Sequence, residues 1–89
     1  MKAIVTVVGK DRVGIIAEVC VQLAFYQVNV LDISQTVMQG YFTMMMAVEA
    51  SECTLPLAEL CKIMDAKGQE MGLSIRVQRE DIFKAMHRV

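Results

Sequence analysis

Apolar residues fill nearly every position from Lys2 to Val8, with Ile4, Val5, Val7 and Val8 β-branched. That run predicts a central strand buried on both faces. The period then changes. From about Val13 to Tyr26 the apolar residues recur at helical spacing. One stripe is Ile16, Val19, Cys20 and Leu23, and a second is Ala17, Val21 and Phe25. Polar residues are confined to Glu18, Gln22, Tyr26 and Gln27. An apolar arc this wide has two explanations. The helix is tucked deep in its own fold, or it packs on its sheet with one stripe and on a partner with the other.

Asn29 to Met38 alternates, with Leu31, Ile33 and Val37 on one face and Asp32, Ser34 and Thr36 on the other. Gln39-Gly40 reads as a two-residue turn. Phe42, Met44, Met46 and Val48 then share one side of a return strand, so Leu31 to Ala50 reads as a hairpin. In the Met44-Met45-Met46 run, alternate residues belong to the core. Ser51 to Thr54 is a connector, with Thr54 the expected N-cap and Pro56 in the first turn of a second helix. Its stripe is Leu57, Leu60, Cys61, Met64, Gly68 and Met71. Gly68 within that stripe permits close approach to the sheet, and Gly72 is placed to end the helix. Leu73, Ile75 and Val77 alternate with Ser74, Arg76 and Gln78 as a half-exposed strand. Asp81 to Arg88 predicts a short terminal helix, with Ile82, Phe83 and Met86 on one face and Lys84, His87 and Arg88 near its C-terminal end.

The element order is β-α-β-β-α-β. Right-handed crossovers require each β-α-β pair to be parallel with a strand between them. Interleaving the two units gives an α+β, ferredoxin-like βαββαβ fold. Its four-stranded antiparallel sheet has order 4-1-3-2, with both helices on one face and the other face bare in a monomer. Residues 1–80 form this domain and 81–89 a C-terminal helical extension.

With 89 residues the chain holds one core. Its hydrophobic fraction of 55% is high for so small a domain, which suggests that a second copy covers part of the surface. A net charge of −1 argues against a grip on nucleic acid. The longest apolar stretch, Val19 to Leu31, is broken by Gln22, Gln27 and Asn29, so no membrane span is expected. A strand pattern from residue 2 leaves no signal peptide to expect. Cys20, Cys53 and Cys61 form no C-x-x-C pair, and the single histidine, His87, is remote in sequence. That is neither a zinc nor a disulfide pattern, and it fits a reduced, cytoplasmic protein. No metal and no cofactor are expected. No Ser/His/acid or Cys/His set is recognisable, so an enzyme is not expected either.

The candidate chemistry lies in Gly9-Lys10-Asp11-Arg12-Val13-Gly14, between the first strand and the first helix. The spacing of its glycines resembles a P-loop, but Ile15-Ile16 replaces the Lys-Ser/Thr pair, which rules out that phosphate site. A polar loop there leaves backbone N–H groups free at a helix N-terminus, a seat for a carboxylate. The run Asp11-Arg12-Val13-Gly14-Ile15-Ile16-Ala17, followed by Val28-Asn29-Val30-Leu31-Asp32-Ile33, resembles the ACT domain over roughly residues 2–79. It is similar to small stand-alone ACT proteins and to the ACT modules of glycine-cleavage repressor-like regulators. Val13 departs from the proline usual at that position.

The resemblance implies a regulatory module that binds an amino acid at a domain interface. It carries Asp11 and Asn29 over as ligand contacts and places Gly9, Lys10, Arg12, Val13, Gly14 and Ile15 along the pocket. Other roles stay open. Asp11 is also in place to cap the helix, Asn29 to supply a turn conformation, and Arg12 to be a solvated or subunit-bridging charge. Two functions follow: a homodimeric small-ligand sensor that modulates an enzyme or regulator, or a module that dimerises or docks without any ligand.

Overall fold

The strand-helix alternation read from the chain builds β1 (Lys2–Lys10), α1 (Ile15–Phe25), β2 (Asn29–Met38), β3 (Tyr41–Glu49), α2 (Leu57–Met71) and β4 (Leu73–Arg79) in the computed structural model, which describes residues 1–81. The sheet order is β2-β3-β1-β4, the expected 4-1-3-2 counted from the other edge, and every neighbouring pair is antiparallel. The terminal helix expected over 81–88 lies outside the described residues apart from Asp81.

Both helices cover one face of the sheet, and the burial pattern follows from that. Ala3, Val5 and Val7 of β1 are fully buried, together with Met44, Met46 and Val48 of β3. They meet Val19 and Leu23 of α1 and Leu60 and Met64 of α2 in one cluster. β1 is not buried on both faces, as its apolar run predicted. Ile4 and Thr6 are only half-buried and Val8 is 42% exposed, because nothing among the described residues covers their side. Met45 joins them there, one residue out of phase with its buried neighbours.

Gln39 and Gly40 both have positive φ, 53° and 81°, the geometry of a two-residue turn whose twist matches the strands it joins. Leu31 is the extra residue of a bulge, since Val30 pairs with Val48 and Asp32 with Ala47. The slip leaves Ile33, Gln35 and Val37 opposite Met46, Met44 and Phe42 on the helix side. They stay exposed because β2 is the sheet edge.

The second helix begins differently from expectation. Thr54 is not its cap: the Thr54 N–H donates to the Tyr26 carbonyl at 3.1 Å. Pro56 stands at the N-cap without a side-chain bond, and its carbonyl accepts from Glu59 and Leu60. Gly72 closes the helix in the left-handed region, as expected. Gly68 lies against β4, where an added Cβ would stand 2.9 Å from the Leu73 carbonyl oxygen.

At the end of β3, half-buried Glu49 accepts from the N-terminal ammonium and from Ser51 Oγ. These bonds, the ammonium first, hold its carboxyl at about 2 rather than its ordinary 4.5. A carboxyl depressed on folding contributes stability above its unfolded pKa and loses it as pH falls through the folded one. The melting-temperature gap between wild type and Glu49→Gln should therefore be constant near neutrality and close between about pH 4.5 and about 2. Thermal melts across that window check it.

Candidate functional site

Pairing of Lys10 with Tyr41 brings the end of β1 beside the hairpin turn. The next residue fastens there: the Asp11 N–H donates to the Gly40 carbonyl at 2.9 Å. Gly14 then turns the chain into α1 with φ 94°, a conformation that costs a residue with a Cβ but not glycine. The Glu18 N–H donates to the Gly14 carbonyl at 2.9 Å. The preceding amides, of Ile15, Ile16 and Ala17, therefore lack helical acceptors and carry the positive end of the helix dipole.

These amides border a surface pocket of about 460 Å³. Asp11, Arg12 and Gly14 to Ala17 line one side of it, and Gln35, Thr36, Val37 and Phe42 the other. Arg12 is turned back on the helix, with Nη2 3.0 Å from Glu18 Oε2 and Nη1 donating to the Val13 carbonyl at 3.2 Å. Its charge is thus partly matched at the first turn. Asp11 does not cap α1, which has no side-chain cap bond, and it is one of the residues lining the pocket. Residues with free backbone N–H groups and a residue with a carboxylate thus line one pocket.

The expected loop is shorter than the sequence suggests. Gly9 and Lys10 belong to β1, pairing with Phe42 and Tyr41, and neither lines the pocket. A strand running past Val8 explains this, with Leu73 packed where a Gly9 Cβ would lie. Val13 is 96% exposed and also outside the pocket. The helix starts at Ile15 rather than Val13.

Asn29 is not brought to the loop within one chain. It pairs with Glu49, which neighbours Lys2, at the far end of the sheet from Lys10. Eight strand positions separate the two ends, roughly 27 Å at ~3.4 Å per residue. Asn29 borders a separate depression with Ala24, Gln27, Val28 and Glu52. Conversely, Gln35, Thr36 and Val37 were not singled out from the sequence. The signal was present: a hairpin whose second strand pairs with β1 must return the end of β2 to the β1–α1 loop.

The remaining chemistry is sparse. Burial pushes the thiols of Cys20 and Cys61 up, away from thiolate reactivity, and Cys61 donates to the Val77 carbonyl at 3.3 Å. Among the described residues no group of three or more His, Cys, Asp or Glu could hold a metal ion. No helix among them is long and apolar enough to cross a membrane.

Comparison with known proteins agrees with the fold. The model of the ACT domain matches residues 2–78. A UPF0237 protein of Clostridium acetobutylicum is 51% identical over 89 residues, covering 100% of both chains. The solved ACT domain protein from Streptococcus pneumoniae superposes with a TM-score of 0.83 at 45% identity, covering 98% of each chain. A candidate glycine cleavage system transcriptional repressor superposes with a TM-score of 0.72 over 86% of this chain and 44% of its own. At 23% identity it speaks for the fold alone. Matched over nearly its whole length, the chain belongs to the ACT domain family.

Proposed function

We propose that this chain is a cytoplasmic regulatory module that binds a free amino acid and passes the binding event to an enzyme or regulator. The observation that carries the reading is the pocket at the α1 N-terminus. Free amides of Ile15, Ile16 and Ala17 suit an α-carboxylate, and Asp11 suits an α-ammonium. A volume near 460 Å³ falls within the range of small-molecule sites. ACT membership supports the regulatory role. Residues 1–80 are the functional unit in this reading, with 81–89 an appendage to it.

The site is completed by a second copy. β2 is a ten-residue edge strand with its outer backbone groups unpaired in the sheet. Antiparallel pairing of two such edges about a two-fold axis near Ile33 sets Asn29 of one copy beside Val37 of the other. Asn29 then reaches the pocket across the boundary, which reconciles its distance from Asp11 within one chain. A ligand-independent dimerisation module is the second reading. The same exposed edge favours it, because pairing needs no ligand.

Calorimetry with the common amino acids separates the two readings, through the wild type and two variants of Asp11. Asp11→Asn should weaken binding about tenfold or more by removing the charge-assisted bond to the ammonium. Asp11→Ala should weaken it to a similar degree, and neither should lower the melting temperature much, because Asp11 caps nothing. No heat for any amino acid at millimolar concentration would leave the dimerisation module standing. Binding untouched by Asp11→Asn would move the ammonium contact elsewhere.

A further inference from the structure

We infer that the ligand is a diamino acid, whose side-chain ammonium is received by Glu52 of the second copy, in a depression at the C-terminal end of α1. The inference rests on the amino acid reading and on the edge-paired dimer, and it adds the class of ligand to them. The depression has a volume of about 300 Å³ and is lined by Ala24, Gln27, Val28, Asn29 and Glu52. The first pocket takes Ile16 from the start of α1 and Gln35 to Val37 from the end of β2. The depression takes Ala24 from the end of α1 and Asn29 from the start of β2. Both therefore open where α1 borders β2, one at each end. Within one chain they lie a strand length apart. The two-fold axis near Ile33 changes that. It sets Asn29 of one copy beside Val37 of the other. It also runs the two α1 helices antiparallel, the N-terminal end of each beside the C-terminal end of its counterpart.

Charge then selects the ligand. At the first pocket Arg12 is matched by Glu18, which leaves the Asp11 carboxylate as the charge over. At the depression Glu52 makes no ion pair among the described residues. The last turn of α1 has no basic residue to offset the negative end of its dipole. Gln27 adds a polar residue at the same place. It holds φ 63°, in the left-handed region where glycine is the usual helix terminator, and it is one of the lining residues. The joined cleft thus offers a seat for one anion, the α1 amides, and carboxylates for two cations. A simple zwitterion fills the seat and Asp11 and leaves Glu52 unmatched. A diamino acid satisfies all three. Its α-carboxylate takes the amides of Ile15 to Ala17, its α-ammonium takes Asp11, and its side-chain ammonium takes Glu52. The methylene stem crosses the boundary over Val37, which is 53% exposed in one chain.

Calorimetry of the full chain with lysine and norleucine tests the inference, because norleucine keeps the stem and lacks the terminal ammonium. Lysine should bind about tenfold or more tighter, and Glu52→Gln should remove that advantage. Glu52 is exposed, so the variant should keep its melting temperature. Co-expressing the Asp11→Asn and Glu52→Gln chains separates a site shared by two copies from one held within a chain. In each mixed dimer one of the two sites keeps both carboxylates, so tight lysine binding should return that neither variant shows alone. Norleucine bound as tightly as lysine overturns the inference and leaves the amino acid reading in place. So does a lysine advantage that survives Glu52→Gln, or a mixed dimer that recovers no tight site. No heat for any amino acid overturns both.

Discussion

Replacing Gly68 by valine should leave the chain largely unfolded at room temperature, although glycine is the least favoured ordinary residue in a helix interior. Propensity alone predicts the opposite sign: alanine for glycine in mid-helix gains about 1 kcal/mol. Here the contact decides. A Cβ at Gly68 would lie 2.9 Å from the Leu73 carbonyl oxygen, 3.0 Å from Ile75 Cγ1 and 3.2 Å from the Ile75 nitrogen. The Ile75 side chain can rotate; the backbone of β4 cannot yield without breaking its pairing with β1. Relief must come from α2 lifting off the sheet, which opens the packing of Leu60 and Met64, both fully buried. Overpacking of this kind costs about 1–3 kcal/mol and more against backbone. Gly68→Ala should therefore lose about 1–2 kcal/mol net of its propensity gain. Valine adds two methyl groups, and its loss approaches the roughly 5–15 kcal/mol that small domains possess. Gly72→Ala is the control. It meets nothing within 4 Å and suffers only its φ of 73°, so a loss of about 1 kcal/mol is expected. Denaturant unfolding of the three variants reads these differences. A Gly68→Val protein as stable as wild type would show that the helix–sheet distance is not fixed at this point.

The sheet topology was legible because two kinds of local signal agreed. The hairpin around Gln39-Gly40 fixed the β2–β3 pair, and the handedness of the two crossovers fixed the rest. Met44 and Met46 fell in the core with Met45 outside because strand alternation has no freedom once the turn is set. What failed was local capping. Thr54 and Asp11 are good N-cap residues by type, yet neither caps, because the helices start later, with Pro56 and Gly14 at their N-cap positions, while the N–H groups of Thr54 and Asp11 fasten the chain to Tyr26 and Gly40. Those bonds join segments distant in sequence, and no local pattern records them. The same limit hid half of the pocket. Asp11 and the α1 amides are contiguous in sequence, whereas Gln35 to Val37 arrive by pairing through β3. Asn29 was grouped with the loop although a whole strand length separates them, since a motif carries order along the chain but not distance across a sheet.

Ile33→Glu should convert the protein from dimer to monomer, and Val21→Glu should not. Both side chains are exposed in one chain, at 40% and 69%, so neither substitution disturbs the core. The second stripe of α1 did emerge uncovered, which removes the explanation that the helix is deeply tucked. Its direction matters, however. Ala17 and Val21 border a shallow groove shared with Lys67 of α2, on the outer side of the helix layer. The β2 edge borders the other pocket of α1, which Ile16 and Ala17 line together with Gln35 to Val37. Ile33 sits near the middle of that edge, on the same face as Val37. A two-fold axis there brings both copies of residue 33 together, so a single substitution places two carboxylates in one desolvated contact. Like charges in such a position cost several kcal/mol, and a 1.4 kcal/mol change is about tenfold in affinity. The dimer constant should rise by at least about a hundredfold, seen as half the mass by ultracentrifugation at micromolar concentration. In the proposed dimer Asn29 reaches the pocket only across this edge, so the monomeric variant should also lose most of its amino acid heat while keeping its far-ultraviolet spectrum. The reverse pattern, with Val21→Glu or Phe25→Glu dissociating the dimer and Ile33→Glu leaving it whole, would place the interface on the second stripe of α1. It would also remove Asn29 from the site.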